Sequence, residues 1–417
     1  MSIAYDRKTP HRFDVVGSFL RPERLHDAHY AWKAGKISAE ELKAIEDECI
    51  RDLVSKEKKA GLGVITDGEF RRETWHLDFM WAFDGIAHKP AEVGLPFHDE
   101  AAKIDDTYLV GKIAYKGIHP FIDHFRFVQA LEDERTVAKL TIPAPAQFLE
   151  QFAMPFNKET TDKVYASHAE LADDIVAGYA AFIQDLYAAG CRNLQLDDCS
   201  WGMVVDPHAG QFFGVDEAGL EQVKEALLEV NNRVLAACPE DLTVNTHICR
   251  GNFHSTWACE GGYDGVADFL LARENVHAFF LEYDDARSGS FEPLAKVPED
   301  KLVVLGLVTT KRPELEDRET VIARIHEAAK YVPLERLCLS PQCGFASCDC
   351  GNKLTEEEQW TKVALVRSIA EEDWGSDLPM QSRRRHASLW VQGAAAMSLG
   401  SLPSRARRSP ARRCRCS

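Results

Sequence analysis

Residues 302–342 read LVVLGLVTTKRPELEDRETVIARIHEAAKYVPLERLCLSPQ. The first seven, Leu302–Val308, are apolar and rich in β-branched side chains, with no alternation of polar residues. A strand buried on both faces reads this way, and such strands belong to parallel sheets. Arg318–Tyr331 then carries the spacing of a helix with one apolar face. Leu337–Gln342 is a second strand of the same kind. Strand, helical crossover and strand make the unit from which parallel α/β folds are assembled.

The unit recurs outward along the chain. Upstream strands are predicted at His277–Tyr283 (HAFFLEY), Leu242–Cys249 (LTVNTHIC), Asn193–Asp198 (NLQLDD), Thr136–Pro143 (TVAKLTIP), Val64–Phe70 (VITDGEF) and Phe13–Phe19 (FDVVGSF). Helices are predicted at Ser38–Ala60, Thr161–Ala189, Asp216–Ala237 and Thr355–Asp373, with a short one near Tyr263–Arg273. Ser38 and Glu41 form a capping-box pattern at the start of the first, and Gly61 stops it. About eight strand–helix units is the count of a (β/α)8 TIM barrel. A doubly wound open sheet is the alternative, but no GxGxxG or P-loop turn follows the first strand. Residues 71–135 are aromatic-rich and irregular, and read as an insertion or lid.

The chain has 417 residues, 45% hydrophobic and 28% charged, with a formal net charge of −17. That balance disfavours nucleic acid, whose phosphates need clustered Lys and Arg. No apolar run reaches the roughly 18–20 residues needed to span a membrane, and charges stand where a signal peptide would be apolar. A cytoplasmic enzyme is the expectation. From Ser376 onward the sequence holds nine Arg and one acidic residue, Asp377. This segment lacks periodicity, so a catalytic domain over 1–375 and a disordered Arg-rich tail over 376–417 are expected; a basic docking tail is the alternative. Twelve Cys in a compartment that disfavours disulfides point to burial, catalysis or metal ligation.

In a barrel the chemistry gathers at the C-terminal ends of the strands. Those ends offer Thr246-His247-Ile248-Cys249, then Glu282, then Cys343. The two-residue period puts His247 and Cys249 on one side of their strand. Taken singly, Glu282 reads as an ion-pair carboxylate and Cys343 as a core residue. Together the four are one nitrogen, two sulfur and one oxygen ligand at one barrel mouth, a mixture suited to zinc. A metal carrying two thiolates and a carboxylate is poorly suited to activating water. It is better suited to holding a third thiolate from a substrate, with Glu282 the ligand that moves. Thiol alkylation follows as the expected chemistry.

At VGSFLRP (16–22), TDGEFRRETW (66–75), LQLDD (194–198), NTHICRGN (245–252), FLEYDDARSG (280–289) and SPQCGFAS (340–347) the sequence resembles the cobalamin-independent methionine synthases, over about residues 11–375. It looks like their shorter relatives, which keep only the catalytic barrel. The resemblance implies zinc on His247, Cys249, Glu282 and Cys343. It implies a homocysteine site with Ser18 at the substrate carboxylate and Glu69 and Asp197 at its ammonium, and catalytic roles for Glu282 and Asp197. It also implies a methyl donor, methyltetrahydrofolate or a methylcorrinoid. A zwitterionic amino acid does need a donor at one end and carboxylates at the other. For Glu69 an ion pair with Arg71 or Arg72 is the plainer reading, and for Asp197 and Asp198 capping bonds.

The sequence departs from the full-length enzymes. Their N-terminal half is missing. The strand end that carries Asp-x-His-Ser in them reads Gly306-Leu307-Val308-Thr309-Thr310-Lys311, without the histidine thought to protonate a departing folate amine. Cys348 and Cys350 follow Cys343 as a second metal site, a redox pair or two stray thiols. Two further functions compete: joining another thiol to another alkyl donor, in the manner of relatives that couple coenzyme M to epoxides, and a zinc-binding protein without catalysis.

Overall fold

The computed structural model describes residues 7–375; the tail over 376–417, expected to be disordered, lies outside the described residues. Six parallel strands stand side by side in chain order: Leu140–Pro143, Asn193–Asp198, Thr243–Ile248, Ala278–Glu282, Leu302–Val308 and Leu337–Pro341. Val64–Ile65 pairs in parallel with Val137–Ala138. Residues 13–18 supply the last segment, bridging Phe13 to Leu339 on one side and Ser18 to Gly68 on the other. Two backbone hydrogen bonds mark this closure, Asp14 N to Leu339 O at 3.1 Å and Phe19 N to Gly68 O at 3.2 Å. The eight segments form the predicted (β/α)8 barrel, each where the sequence puts it.

The burial agrees with the apolar strand sequences. Every residue of Leu302–Val308 and of Ala278–Glu282 is buried. At the base of the barrel the polar residues that enter it are paired, which offsets the cost of burying them. Lys139 Nζ donates to Asp14 Oδ1 at 3.2 Å, Val15 O at 2.6 Å and Gln195 Oε1 at 2.9 Å. Gln195 Nε2 in turn donates to Asp197 Oδ1 at 2.7 Å. A chain of bonds thus runs from the base of the barrel to one of the predicted substrate residues.

The helix predicted from Ser38 runs over Ala39–Ala60, with the Ser38–Glu41 capping box formed and Gly61 left-handed at φ 83°. Other boundaries differ. The segment read as one helix over Thr161–Ala189 is two, Lys158–Val164 and His168–Ala188. Ser167, whose side chain accepts from Glu170 N, restarts it as an N-cap. The helix near Tyr263–Arg273 is a 3₁₀ turn, Tyr263–Val266, followed by a π turn, Ala267–Leu271. The 71–135 insertion is more regular than its sequence suggests. It holds a bulged antiparallel hairpin, Asp84–Lys89 with Asp106–Ala114, and a helix, Pro120–Gln129. The tip of this insertion touches the segment after Cys249: His98 N donates to Trp257 O at 2.7 Å, and the Phe97 and Phe253 rings lie 5.5 Å apart.

Outside the barrel mouth, Glu274 is fully buried. Burial, and then the charge of Asp198, push its carboxyl up to about 8 from the ordinary 4.5. A carboxyl raised in the folded state stabilises most below its unfolded pKa, and the contribution is lost as pH rises through the folded value. Stability should therefore fall between about pH 4.5 and 8 on this account, with a slope of roughly 1.4 kcal/mol per pH unit. Glu274→Gln is expected to raise the melting temperature at pH 9 and to change it little at pH 5. Equal changes at both pH values would show that the carboxyl is already ionised in the fold.

Candidate metal centre and adjoining carboxylate pair

The ligand atoms of His247, Cys249, Glu282 and Cys343 all lie within 4.8 Å of one another. His247 is the penultimate residue of the strand Thr243–Ile248, and Cys249 follows that strand directly. Glu282 ends Ala278–Glu282, and Cys343 follows Leu337–Pro341 by two residues. All four are buried, at 2%, 6%, 0% and 3% exposure. The Cys249 and Cys343 sulfurs are 3.7 Å apart. Neither ring nitrogen of His247 has a hydrogen-bond partner, nor has Glu282 Oε2. Buried polar atoms are nearly always satisfied, so unpartnered nitrogen and oxygen atoms facing two sulfurs form a donor set that fits a cation. Both ligand thiols are pushed up, first by a neighbouring thiol and then by burial: a hydrogen bond with Cys199 raises Cys249, and one with Cys249 raises Cys343.

The surrounding backbone fixes the ligands. Arg250 N donates to Glu282 Oε1 at 3.1 Å, and Gly251 N to Cys249 Sγ at 3.3 Å. The Arg250 guanidinium is itself anchored, donating to Tyr263 Oη at 2.8 Å and Gly261 O at 2.7 Å. A side chain at Gly344 would place its Cβ 1.9 Å from Ser18 Oγ, so glycine there lets the Cys343 loop close onto Ser18. Phe345 N donates to Ser18 O at 2.9 Å, and Ala346 N to Ser18 Oγ at 3.3 Å.

Asp197 stands opposite His247 in the register of adjacent parallel strands, about 4.8 Å away by strand spacing. Glu69 is buried and has a left-handed backbone, φ 62°, a strained conformation for a residue with a side chain. Thr141 Oγ1 donates to Glu69 Oε1 at 2.7 Å, Arg72 Nη1 lies 3.2 Å from the same oxygen, and Glu69 Oε2 has no hydrogen-bond partner. The expected Arg72 pair thus exists but uses one oxygen; Arg71 turns instead to Glu46 and Asp47. Burial is the main force that pushes Glu69 and Asp197 above the usual carboxylate range; the Asp197 charge adds to it at Glu69, as does the Asp198 charge at Asp197. Asp198 is taken up by Ser200 and Asn231, the local bonds its sequence suggests.

Cys348 and Cys350 join no cluster of three ligand-type side chains among the described residues. The residue that sequence reasoning underused is Lys311. It is 6% exposed, and its Nζ lies 3.9 Å from Glu282 Oε2 and 3.8 Å from Asp284 Oδ2. Its place at the end of the Leu302–Val308 strand, the neighbour of Ala278–Glu282, was the available signal. Among the described residues no helix is long and apolar enough to cross a membrane.

Residues 161–372 match the family model described as the catalytic domain of cobalamin-independent synthase. The uncharacterized protein YxjH of Bacillus subtilis is 43% identical over 371 residues, 88% of this chain and 96% of its own length. A methionine synthase of Saccharolobus solfataricus is 25% identical over 345 residues, 79% and 87% of the two chains. A solved structure from Listeria monocytogenes, of a candidate vitamin-B12 independent methionine synthase, is 34% identical, covers 89% of this chain and 100% of its own, and superposes with a TM-score of 0.70. The family model spans half the chain and the Bacillus relative nearly nine-tenths of it, so this chain belongs to the cobalamin-independent methionine synthase family and is a methyltransferase of that type, its catalytic domain implying methyl transfer to a thiol.

Proposed function

We propose that the enzyme holds zinc on His247, Cys249, Glu282 and Cys343 and methylates homocysteine to methionine. The observation that carries this reading is the adjacency of two unlike sites: a buried nitrogen, sulfur and oxygen ligand set, and a buried carboxylate pair formed by Asp197, on the neighbouring strand, with Glu69, whose Oε2 has no partner. Zinc, when bound, supplies the acidity that turns a substrate thiol into a thiolate at neutral pH. The chain's own residues do the rest. Glu69 and Asp197 receive the substrate ammonium, whose charge offsets the desolvation that raises both carboxyls. The Ser18 hydroxyl accepts from Ala346 N and keeps its own proton free to donate to the substrate carboxylate. Holding both ends of the amino acid directs its sulfur toward His247 and the cysteines, which converts binding into orientation. Glu282 is the ligand with a second partner at hand, and so the one fitted to yield its place to the substrate.

Asp197→Asn is expected to weaken homocysteine binding by roughly 1–3 kcal/mol, the scale of a charge-assisted hydrogen bond. A thiol acid of the same length without the amino group should lose much less. Calorimetric titration of both ligands into wild type and variant is the test. Equal losses for the two would mean that Asp197 does not read the ammonium.

A further inference from the structure

We propose that Lys311 is a positioning residue of the metal centre: its ammonium competes with the bound cation for the Glu282 carboxylate and so keeps Glu282 the exchangeable ligand of the four. The inference rests on the metal site proposed above.

Three observations support it. Glu282 is held on one oxygen only, by Arg250 N–H at 3.1 Å, and its free Oε2 lies 3.9 Å from Lys311 Nζ. Lys311 Nζ makes no hydrogen bond, and the side chain is 5% exposed. A buried ammonium with all its donors unused is unfavourable unless charge compensates it. The compensation is divided, because Asp284 Oδ2 lies 3.8 Å away, and Asp284 is itself 3.5 Å from Arg287. These separations are ion-pair distances but longer than hydrogen bonds. Lys311 is therefore near Glu282 without being committed to it, and a small movement of the carboxylate would complete the pair.

The charge count gives this arrangement a use. Two thiolates and a carboxylate already exceed the charge of a divalent cation by one. A third thiolate from substrate adds another negative charge to a dry site. A fixed cation facing Glu282 favours that addition twice, by its field and by receiving the carboxylate. The structure thus offers at this strand end a fixed charge, with no imidazole among its residues.

The test is zinc affinity of the full chain, measured by competition with a chromophoric chelator, with and without homocysteine. For Lys311→Met, zinc alone should bind on the order of tenfold tighter, because a cation facing the site is removed. The further tightening of zinc by homocysteine seen in wild type should shrink. Lys311→Arg should keep both wild-type values. Asp284→Asn should shift affinity the opposite way, about tenfold weaker, because Lys311 is then left to Glu282 alone. A merely structural lysine predicts weaker zinc binding in Lys311→Met, as loss of a supporting neighbour typically costs about 10–100-fold. Unchanged or weaker binding in that variant overturns the proposal. Should it not fold, Asp284→Asn decides alone, and unchanged or tighter zinc there overturns it. If wild type itself binds no zinc, the metal assignment fails, a result distinct from either of these.

Discussion

Cys249→Ser and Cys343→Ser are each expected to lose most of a zinc content near one per chain, and methyl transfer with it. The two sulfurs stand 3.7 Å apart among ligand atoms gathered within 4.8 Å. Removing either takes away a thiolate that supplies both negative charge and softness. A serine hydroxyl is too weakly acidic to replace it. Cys191→Ser is the control. That thiol is also buried but lies just before the start of the Asn193–Asp198 strand, donating to Asn193 O, and its loss should leave zinc unchanged. Full zinc retention in both ligand variants, by elemental analysis of protein purified under reducing conditions, would refute the assignment.

The second large effect concerns the methyl donor. Turnover with free methyltetrahydrofolate is expected to be slower, by the roughly 10²–10⁴-fold that a positioned acid contributes, than with a donor whose leaving group needs no proton, such as a methylcorrinoid or a sulfonium. An amine leaves poorly unless protonated, and the groups near this strand end are not placed to protonate it. Thr310 uses its N–H on Gln342 and its hydroxyl on Gly344 O. Burial lowers Lys311, but Glu282 and Asp284 outweigh it and hold the proton more tightly than usual. Neither His119 nor His76, both on the insertion, supplies the missing acid. His119 spends one nitrogen on Phe79 O and the other on Phe121 N, capping its own helix. Burial pushes His76 down to about 3, which favours the neutral imidazole at neutral pH, without the acidic second proton of an imidazolium. The measurement is methionine formed from homocysteine with each donor at equal concentration. Fastest turnover with methyltetrahydrofolate would mean that a proton donor exists elsewhere.

The barrel was legible because its strands are buried on both faces, and such runs stand out in a sequence without knowledge of their partners. The metal ligands were legible for a related reason: strand ends converge in a barrel, so His247, Cys249, Glu282 and Cys343 need only be read one strand at a time. The insertion was not legible in this way. Its first hairpin strand, Asp84–Lys89, has no buried residue and no in–out alternation, and its pairing contains a bulge, so the period-two signal is weak there. The break at Tyr165–Ser167 was hidden because both flanking segments favour helix, and only the Ser167–Glu170 cap separates them. Lys311 could be named but not interpreted, since its meaning depends on Glu282 and Asp284 from another strand.

The ring of the barrel is not equally strong all the way round. Most neighbours share continuous ladders, whereas residues 13–18 are joined to theirs through isolated bridges at Phe13 and Ser18. Fewer shared hydrogen bonds mean a lower free energy for local opening, so this is where the ring parts most readily. Ser18 and Glu69 stand on opposite sides of that seam. An amino acid grasped by both would lock it, stabilising the closed ring in proportion to its occupancy. Amide exchange at Phe19, whose N–H spans the seam to Gly68, should then slow on binding more than exchange in the ladders opposite, and the fold would register its substrate at its own weakest joint.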